Sequence, residues 1–344
     1  MDMNRRDFFK LAGATALAAG LNLPGISEAA GVLNSQAPVV GSKLVKGGGA
    51  GTAKVYFSKK IDAASLFKLY EKISDEIYGK IAIKLHTGEP DGPNILPREL
   101  VKAFQARVPN STIVETNTMY GGARFTTEGH RATLEKNGWT FSTVDILDED
   151  GGVNLPVRKG FYLDEVTMGS HITNYDSMIV LTHFKGHAMG GFGGSMKNIA
   201  IGCASGQVGK RQVHGYLEGP MPFGAKELAE MPVKEELMER MSDSAQATCN
   251  YFGKRIVFLN VLRRMSVDCD CAGTRAAEPT IPDIGMLAST DILAIDQAGC
   301  DLVYASPSNK DLVERIESRH GLRQLSAMAE HLMGNPNYEL IEIN

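Results

Sequence analysis

From residue 53 onward, short apolar runs alternate with stretches of helical spacing. Runs at 53–58, 81–86, 111–115 and 140–146 are rich in β-branched and aromatic residues and predict strands. Between them, 62–78, 97–108 and 126–137 repeat apolar residues at helical intervals. Pro97 suits a first helical turn, Thr126 or Thr127 a cap, and Asn137-Gly138 a stop. Residues 148–175 lose this regularity and predict a small β-rich excursion. The continuous apolar run 177–182 predicts a buried strand. Helices follow at 195–201, with Ser195 as cap, and at 226–252, with a break near Met231-Pro232. A strand at 254–259 and the segments 281–284 and 291–303 lead to a helix at 310–333 and a last strand at 338–343. Strand and helix alternate, so the pattern predicts an α/β fold. It is a mostly parallel sheet with helices on both faces, in one large domain with a small irregular excursion.

The first fifty residues read differently. Asn4-Arg5-Arg6-Asp7-Phe8-Phe9-Lys10 precedes an apolar stretch, 11–23, and Ser27-Glu28-Ala29 has the small-x-small form of a cleavage site. This describes a signal peptide, and the paired arginines resemble a twin-arginine export signal. The expectation is a signal at 1–29, a glycine- and serine-rich linker at 30–52, and an α/β domain at 53–344. The protein would then leave the cytoplasm by the twin-arginine machinery and be periplasmic or secreted. That route carries folded proteins, often with a cofactor already inserted. The apolar run is too short to span a bilayer, and no later run approaches that length.

Composition narrows the function. Net charge is −4, and no basic stripe or aromatic surface suggests nucleic acid. The five cysteines are an odd number and too few for a disulfide framework in a chain of this length.

The chemistry-bearing residues gather after strands, where open parallel sheets place their ligands. Thr182-His183-Phe184-Lys185-Gly186-His187 runs into Gly190-Gly191-Phe192-Gly193-Gly194-Ser195-Met196-Lys197-Asn198 and ends at Cys203. His183 and His187, four apart, share a face on a helix, but Gly186 argues for a loop. Either arrangement can chelate a metal. The glycine stretch opens a helix, and with Lys185 and Lys197 it reads either as an anion cradle or as a tight structural turn. Gly191, Gly193 and Gly194 would supply its backbone donors. Asp268-Cys269-Asp270-Cys271 puts two thiols on one side of an extended segment. They read as ligands of a soft cation, as half of a disulfide to Cys203 or Cys249, or as inert thiols. His86 is a candidate ligand or base, and Asn117 a polar anchor.

With these residues in view, the chain resembles the domain-of-unknown-function 362 family, whose members are often labelled iron–sulfur centre proteins. The resemblance is carried by Lys84-Leu85-His86-Thr87-Gly88-Glu89-Pro90, Glu115-Thr116-Asn117-Thr118-Met119-Tyr120, His183 through Cys203, Asp268 through Cys271, Ile281-Pro282-Asp283-Ile284-Gly285, and Asp291 with Ala294 through Ala298. Many relatives carry a ferredoxin-like insert of Cys-x-x-Cys runs after the Gly-Cys segment. Residues 204–250 hold only Cys249. The label implies metal and redox chemistry, but four-iron clusters are not expected here.

The combined expectation is an exported protein holding a transition-metal ion. Its candidate ligands are His183, His187, Cys203, Cys269 and Cys271. His86, Lys185 and Lys197 are the candidate catalytic groups. With Asn117 they would face a small anionic substrate in a redox or proton-transfer reaction, and Asn117, Gly191, Gly193 and Gly194 are the candidate cofactor-binding residues. The alternatives are a non-enzymatic metal or cofactor carrier and an electron-transfer scaffold that lacks the cluster insert.

Overall fold

In a computed structural model of the chain, residues 51–223, 226–227 and 231–343 are described. The expected signal peptide and nearly all of the expected linker lie outside them. The chain forms an α/β fold on a sheet of eight strands. These are β1 (Ala53–Ser58), β2 (Ile81–Lys84), β3 (Ser111–Glu115), β4 (Val144–Ile146), β7 (Ser177–His183), β10 (Ile256–Leu262), β11 (Gly285–Ser289) and β12 (Tyr338–Glu342). Their order is β12-β1-β11-β10-β7-β2-β3-β4. Only β11 runs against its neighbours, pairing antiparallel with both β1 and β10. Two hairpins stand apart: β5 (Gly152–Pro156) with β6 (Glu165–Gly169), and β8 (Lys185–His187) with β9 (Gly191–Gly193). The first realises the expected β-rich excursion.

Helices cover both faces because the central strands are apolar on both sides. All seven residues of β7 are buried. Its Ile179 and Leu181 pack with α1 (Ala63–Glu71), α2 (Arg98–Gln105) and α3 (Thr127–Lys136). Met178 and Val180 face α4 (Ser195–Gly202), α6 (Glu235–Phe252), α7 (Ile292–Ala305) and α9 (Arg323–Glu330). The short α5 (Gly209–Val213) and α8 (Lys310–Ser318) complete the second layer. Local chemistry starts several helices. Asp62 accepts from the Ser65 amide at 2.7 Å, Thr126 from Gly129 at 3.2 Å, and Asp291 from Ala294 at 2.9 Å. Among the described residues, no helix is long and apolar enough to cross a membrane.

The structure departs from the pattern in three places. Strand β11 was not marked by the apolar pattern. The helix expected at 310–333 is two helices, because His320 takes φ +56° and turns the chain at Gly321. Ser195 is not the cap of α4. Gly194 takes that position, and a carboxylate from elsewhere serves the helix.

The topology also fixes where a ligand belongs. From β2 the sheet grows one way through β3 and β4, then the chain returns to the other side of β2 with β7 and β10. The carboxyl ends of β2 and β7 therefore meet at a switch in strand order, where open sheets leave a crevice.

Candidate functional site

Two strand exits and one loop build the site. His86 follows β2, His183 ends β7, and Cys269, Asp270 and Cys271 lie in the loop after β10. Strand β8 is drawn onto that loop by its backbone: the Gly186 amide donates to the Ser266 carbonyl at 2.8 Å. A Cβ at Gly186 would sit 2.3 Å from the Val267 carbonyl oxygen, so only glycine permits the approach. The 86–92 loop closes the other side, with the Glu89 amide donating to the Asp270 carbonyl at 3.2 Å.

This convergence brings His187, Cys269 and Cys271 together. One ligand atom from each lies within 4.8 Å of the others. Cys269 is buried, while His187 and Cys271 are half-buried. Of the residues singled out from the sequence, these three meet and two others do not. His183 bonds Asp270 through Nδ1 at 2.9 Å and the Arg263 carbonyl through Nε2 at 2.7 Å. Both partners accept, so both ring nitrogens donate, and neither lone pair is free for a metal. Cys203 is buried at the end of α4 beside Lys84 and Lys210, outside the cluster. The structure thus removes His183 and Cys203 from the candidate ligand set. All five cysteines are thiols, so the disulfide reading of Cys269 and Cys271 also falls away.

The electrostatics favour a thiolate at Cys269. A hydrogen bond from Cys271 holds the Cys269 thiol well below its usual range. Burial opposes this, and the charges of Lys185, Lys197 and His86 reinforce it. His86 feels the reverse. Burial lowers its pKa, but the hydrogen bonds and charges of Cys269 and Glu115 raise it overall. Its Nδ1 lies 3.2 Å from Glu115. His187 is pushed well below the usual histidine range by burial and the charge of Lys197. Its Nδ1 accepts from the amides of Gly190 at 2.8 Å and Met189 at 3.2 Å, so the neutral ring carries its proton on Nε2.

The candidate catalytic and anion-holding residues separate too. Lys185 donates to the His183 carbonyl at 2.9 Å and contacts Asp270 at 3.1 Å. Burial lowers its pKa, but Asp270 and Cys269 raise it further, so it remains a fixed cation beside the thiols rather than a base. Lys197 is half-buried, and its ammonium has no hydrogen-bond partner among the described residues. Asn117 is a brace. Its amide donates to Thr127 at 2.9 Å and its oxygen meets His130 at 3.1 Å, so both polar atoms are engaged within the protein.

The glycine stretch is not an anion cradle. The carboxylate of Asp296, on α7, accepts from the Ser195 amide at 2.7 Å and the Met196 amide at 2.9 Å. It fills the helix N-terminus that an outside anion would need. A Cβ at Gly194 would meet that carboxylate at 2.4 Å, and one at Gly191 would meet Gly321 Cα at 2.8 Å. Gly193 packs against the Lys197 side chain. These glycines admit neighbouring protein atoms, not a cofactor. Asp296 also accepts from Asn260 at 2.8 Å. Asp296→Ala would orphan these donors in a buried space, and a loss of roughly 2–3 kcal/mol in urea unfolding is expected.

A buried network that spacing did not mark supports His86. Arg124 donates to Glu89 at 2.9 Å, to Glu115 at 3.1 Å and to Tyr120 at 3.1 Å. His130 lies 3.4 Å from Glu115, and Thr87 donates to the same carboxylate. Burial pushes the Glu115 carboxyl up, but Arg124, with His130 and His86, holds it well below the usual carboxylate range. Two further buried lysines lie near this network. Lys84 donates to the Leu85 carbonyl at 2.7 Å and to Asn198 at 3.0 Å. Lys210 donates to Thr116 and to the Ala204 carbonyl, and burial pulls its pKa down to about 8. For Lys84 a signal existed: it is a lone charge within the apolar strand 81–85. None marked Arg124 or Lys210.

Residues 81–301 match a family described as a domain of unknown function (DUF362). No curated protein matches the chain. Two solved structures are weakly similar to it. One is the lactate racemase apoprotein from Thermoanaerobacterium thermosaccharolyticum, at 12% identity and a TM-score of 0.41, over 84% of this chain and 82% of that one. The other is a Thermotoga maritima protein solved as a structural-genomics target, at 10% identity and a TM-score of 0.39, over 79% of this chain and 60% of that one.

Proposed function

The chain belongs to the DUF362 family, and we propose that it is an exported protein binding one soft transition-metal ion through His187, Cys269 and Cys271. The observation that carries this reading is the convergence of those three donors within 4.8 Å. Two sulfurs and one imidazole suit zinc, copper(I) or iron better than magnesium or calcium. Three protein ligands leave a coordination position open, the arrangement of a site that does chemistry. Lys185 and Lys197 add positive charge beside it, which suits a small anionic substrate. His86, bonded to both Cys269 and Glu115, is placed to give or take a proton there. The reaction class that fits is redox or proton transfer. A carrier without turnover would use the same ligands.

Loading has a cost at His187. Ligation through Nε2 moves the ring proton to Nδ1, against two amide donors, and ligation through Nδ1 displaces them. Each lost bond costs on the order of 1 kcal/mol, small beside a thiolate–metal bond. The test is elemental analysis of the folded protein. About one equivalent of a transition metal is expected. Cys269→Ser and His187→Ala should each reduce it more than tenfold, and Cys203→Ala should leave it in place. Folded protein that neither contains nor takes up an ion would overturn the reading.

One observation favours a second reading. The occupied Nδ1 of His187, with His86 set between Cys269 and Glu115, also describes a metal-free thiolate nucleophile held beside a histidine and a carboxylate. Stoichiometric labelling of Cys269 by a small electrophile in metal-free, active protein would select it.

A further inference from the structure

A cavity of about 530 Å³ opens beside the loop that carries Glu89. Asp91, Pro97, Arg98, Lys136, Asn137 and Arg263 are among the residues that line it. Arg98 reaches only the Leu96 carbonyl, at 3.4 Å, besides facing the Trp139 ring. Arg263, half-buried, reaches only the Ile95 carbonyl, also at 3.4 Å. Neither guanidinium has a carboxylate within ion-pair distance among the described residues, whereas the adjacent Arg264 is paired with Glu278 and Lys136 with Asp91. Two guanidinium groups without a paired carboxylate share one concave space, which favours an anion between them. Burial lowers the Arg263 pKa; Asp283 and Asp270 oppose this, and the charges of Arg264 and Arg98 add to it. The first turn of α2 also opens here, with Pro97 at its cap position and no side chain serving its amides.

We propose that this cavity is a second ligand site, which binds a small anion bearing two or more charged oxygens through paired contacts from Arg98 and Arg263. Guanidinium groups grip such oxygens two at a time, for carboxylate and phosphate alike. The volume accommodates a small metabolite. Among the described residues, the lining holds no cysteine and no histidine, and the Arg263 carbonyl accepts from His183.

Isothermal titration of the mature chain with inorganic pyrophosphate and, separately, with succinate distinguishes the two sources of charge. Saturable one-to-one binding of at least one is expected, and the one that binds names the class. Arg98→Gln should weaken it at least tenfold, and Arg263→Gln likewise. Arg98 is a partly exposed surface position, so its variant keeps the test usable if Arg263→Gln does not fold. Cys269→Ser should leave binding unchanged, which assigns it to this cavity and not to the thiols. Absence of binding by both anions, or binding indifferent to Arg98→Gln, overturns the proposal.

Discussion

Arg124→Met is expected to lower folding stability by about 3–5 kcal/mol in urea unfolding near pH 7, the usual range for breaking a buried ion pair from one side. Arg124 is 3% exposed and bridges two buried carboxylates, Glu89 and Glu115. Methionine fills similar volume but leaves both carboxylates without their main counter-charge. The pH dependence separates charge from packing. In the native protein Glu115 has a depressed pKa, so it stabilises the fold above its unfolded value, and that contribution is lost as pH falls through the folded value. In the variant, burial is no longer overridden and the Glu115 pKa rises. The stability gap between the two proteins should therefore be widest above about pH 5 and shrink below about pH 4. A gap of equal size at both ends would mean that the loss is one of packing, and that Glu115 is not held ionised by Arg124.

This network bears on what a sequence exposes. The apolar run at 177–182 became β7 because burial on both faces demands a continuous apolar segment, and local composition shows that directly. Strand exits were legible for the same reason, and both His86 and the Cys269–Cys271 loop lie at such exits. The failures are long-range. Asp296 fills the α4 N-terminus from 100 residues away, and nothing near Gly194 announces a carboxylate partner. His183 looked like a ligand because it sits four residues from His187, but Asp270 and the Arg263 carbonyl claim both of its nitrogens. The break at His320 reflects the packing of Gln324, whose amide donates to the Gly190 and Phe192 carbonyls. Helical spacing alone continues through it. Antiparallel β11 depends on pairing with β1 and β10, which its own short composition does not encode.

Cys269 gives the second large effect. In metal-free protein, ultraviolet absorbance should register a thiolate at lower pH than an ordinary cysteine gives, and Cys269→Ser should abolish that early transition. The other thiols cannot supply it. Burial pushes Cys203 up to about 11 despite Lys84 and Lys210, and it raises Cys249 and Cys300 as well. Cys271 is raised by its hydrogen bond to Cys269, so the pair shares one proton across two sulfurs. Lys185→Met removes the nearest fixed ammonium and should move the transition to higher pH. Because the folded value lies below the unfolded one, ionised Cys269 stabilises the fold above the unfolded pKa, and this is lost as pH falls through the folded value. Adding a soft metal should drive the same transition to still lower pH, since ligation takes the thiolate and releases the proton. A titration with no thiolate forming below the ordinary cysteine range would remove the charged sulfur on which both the metal and the nucleophile readings depend.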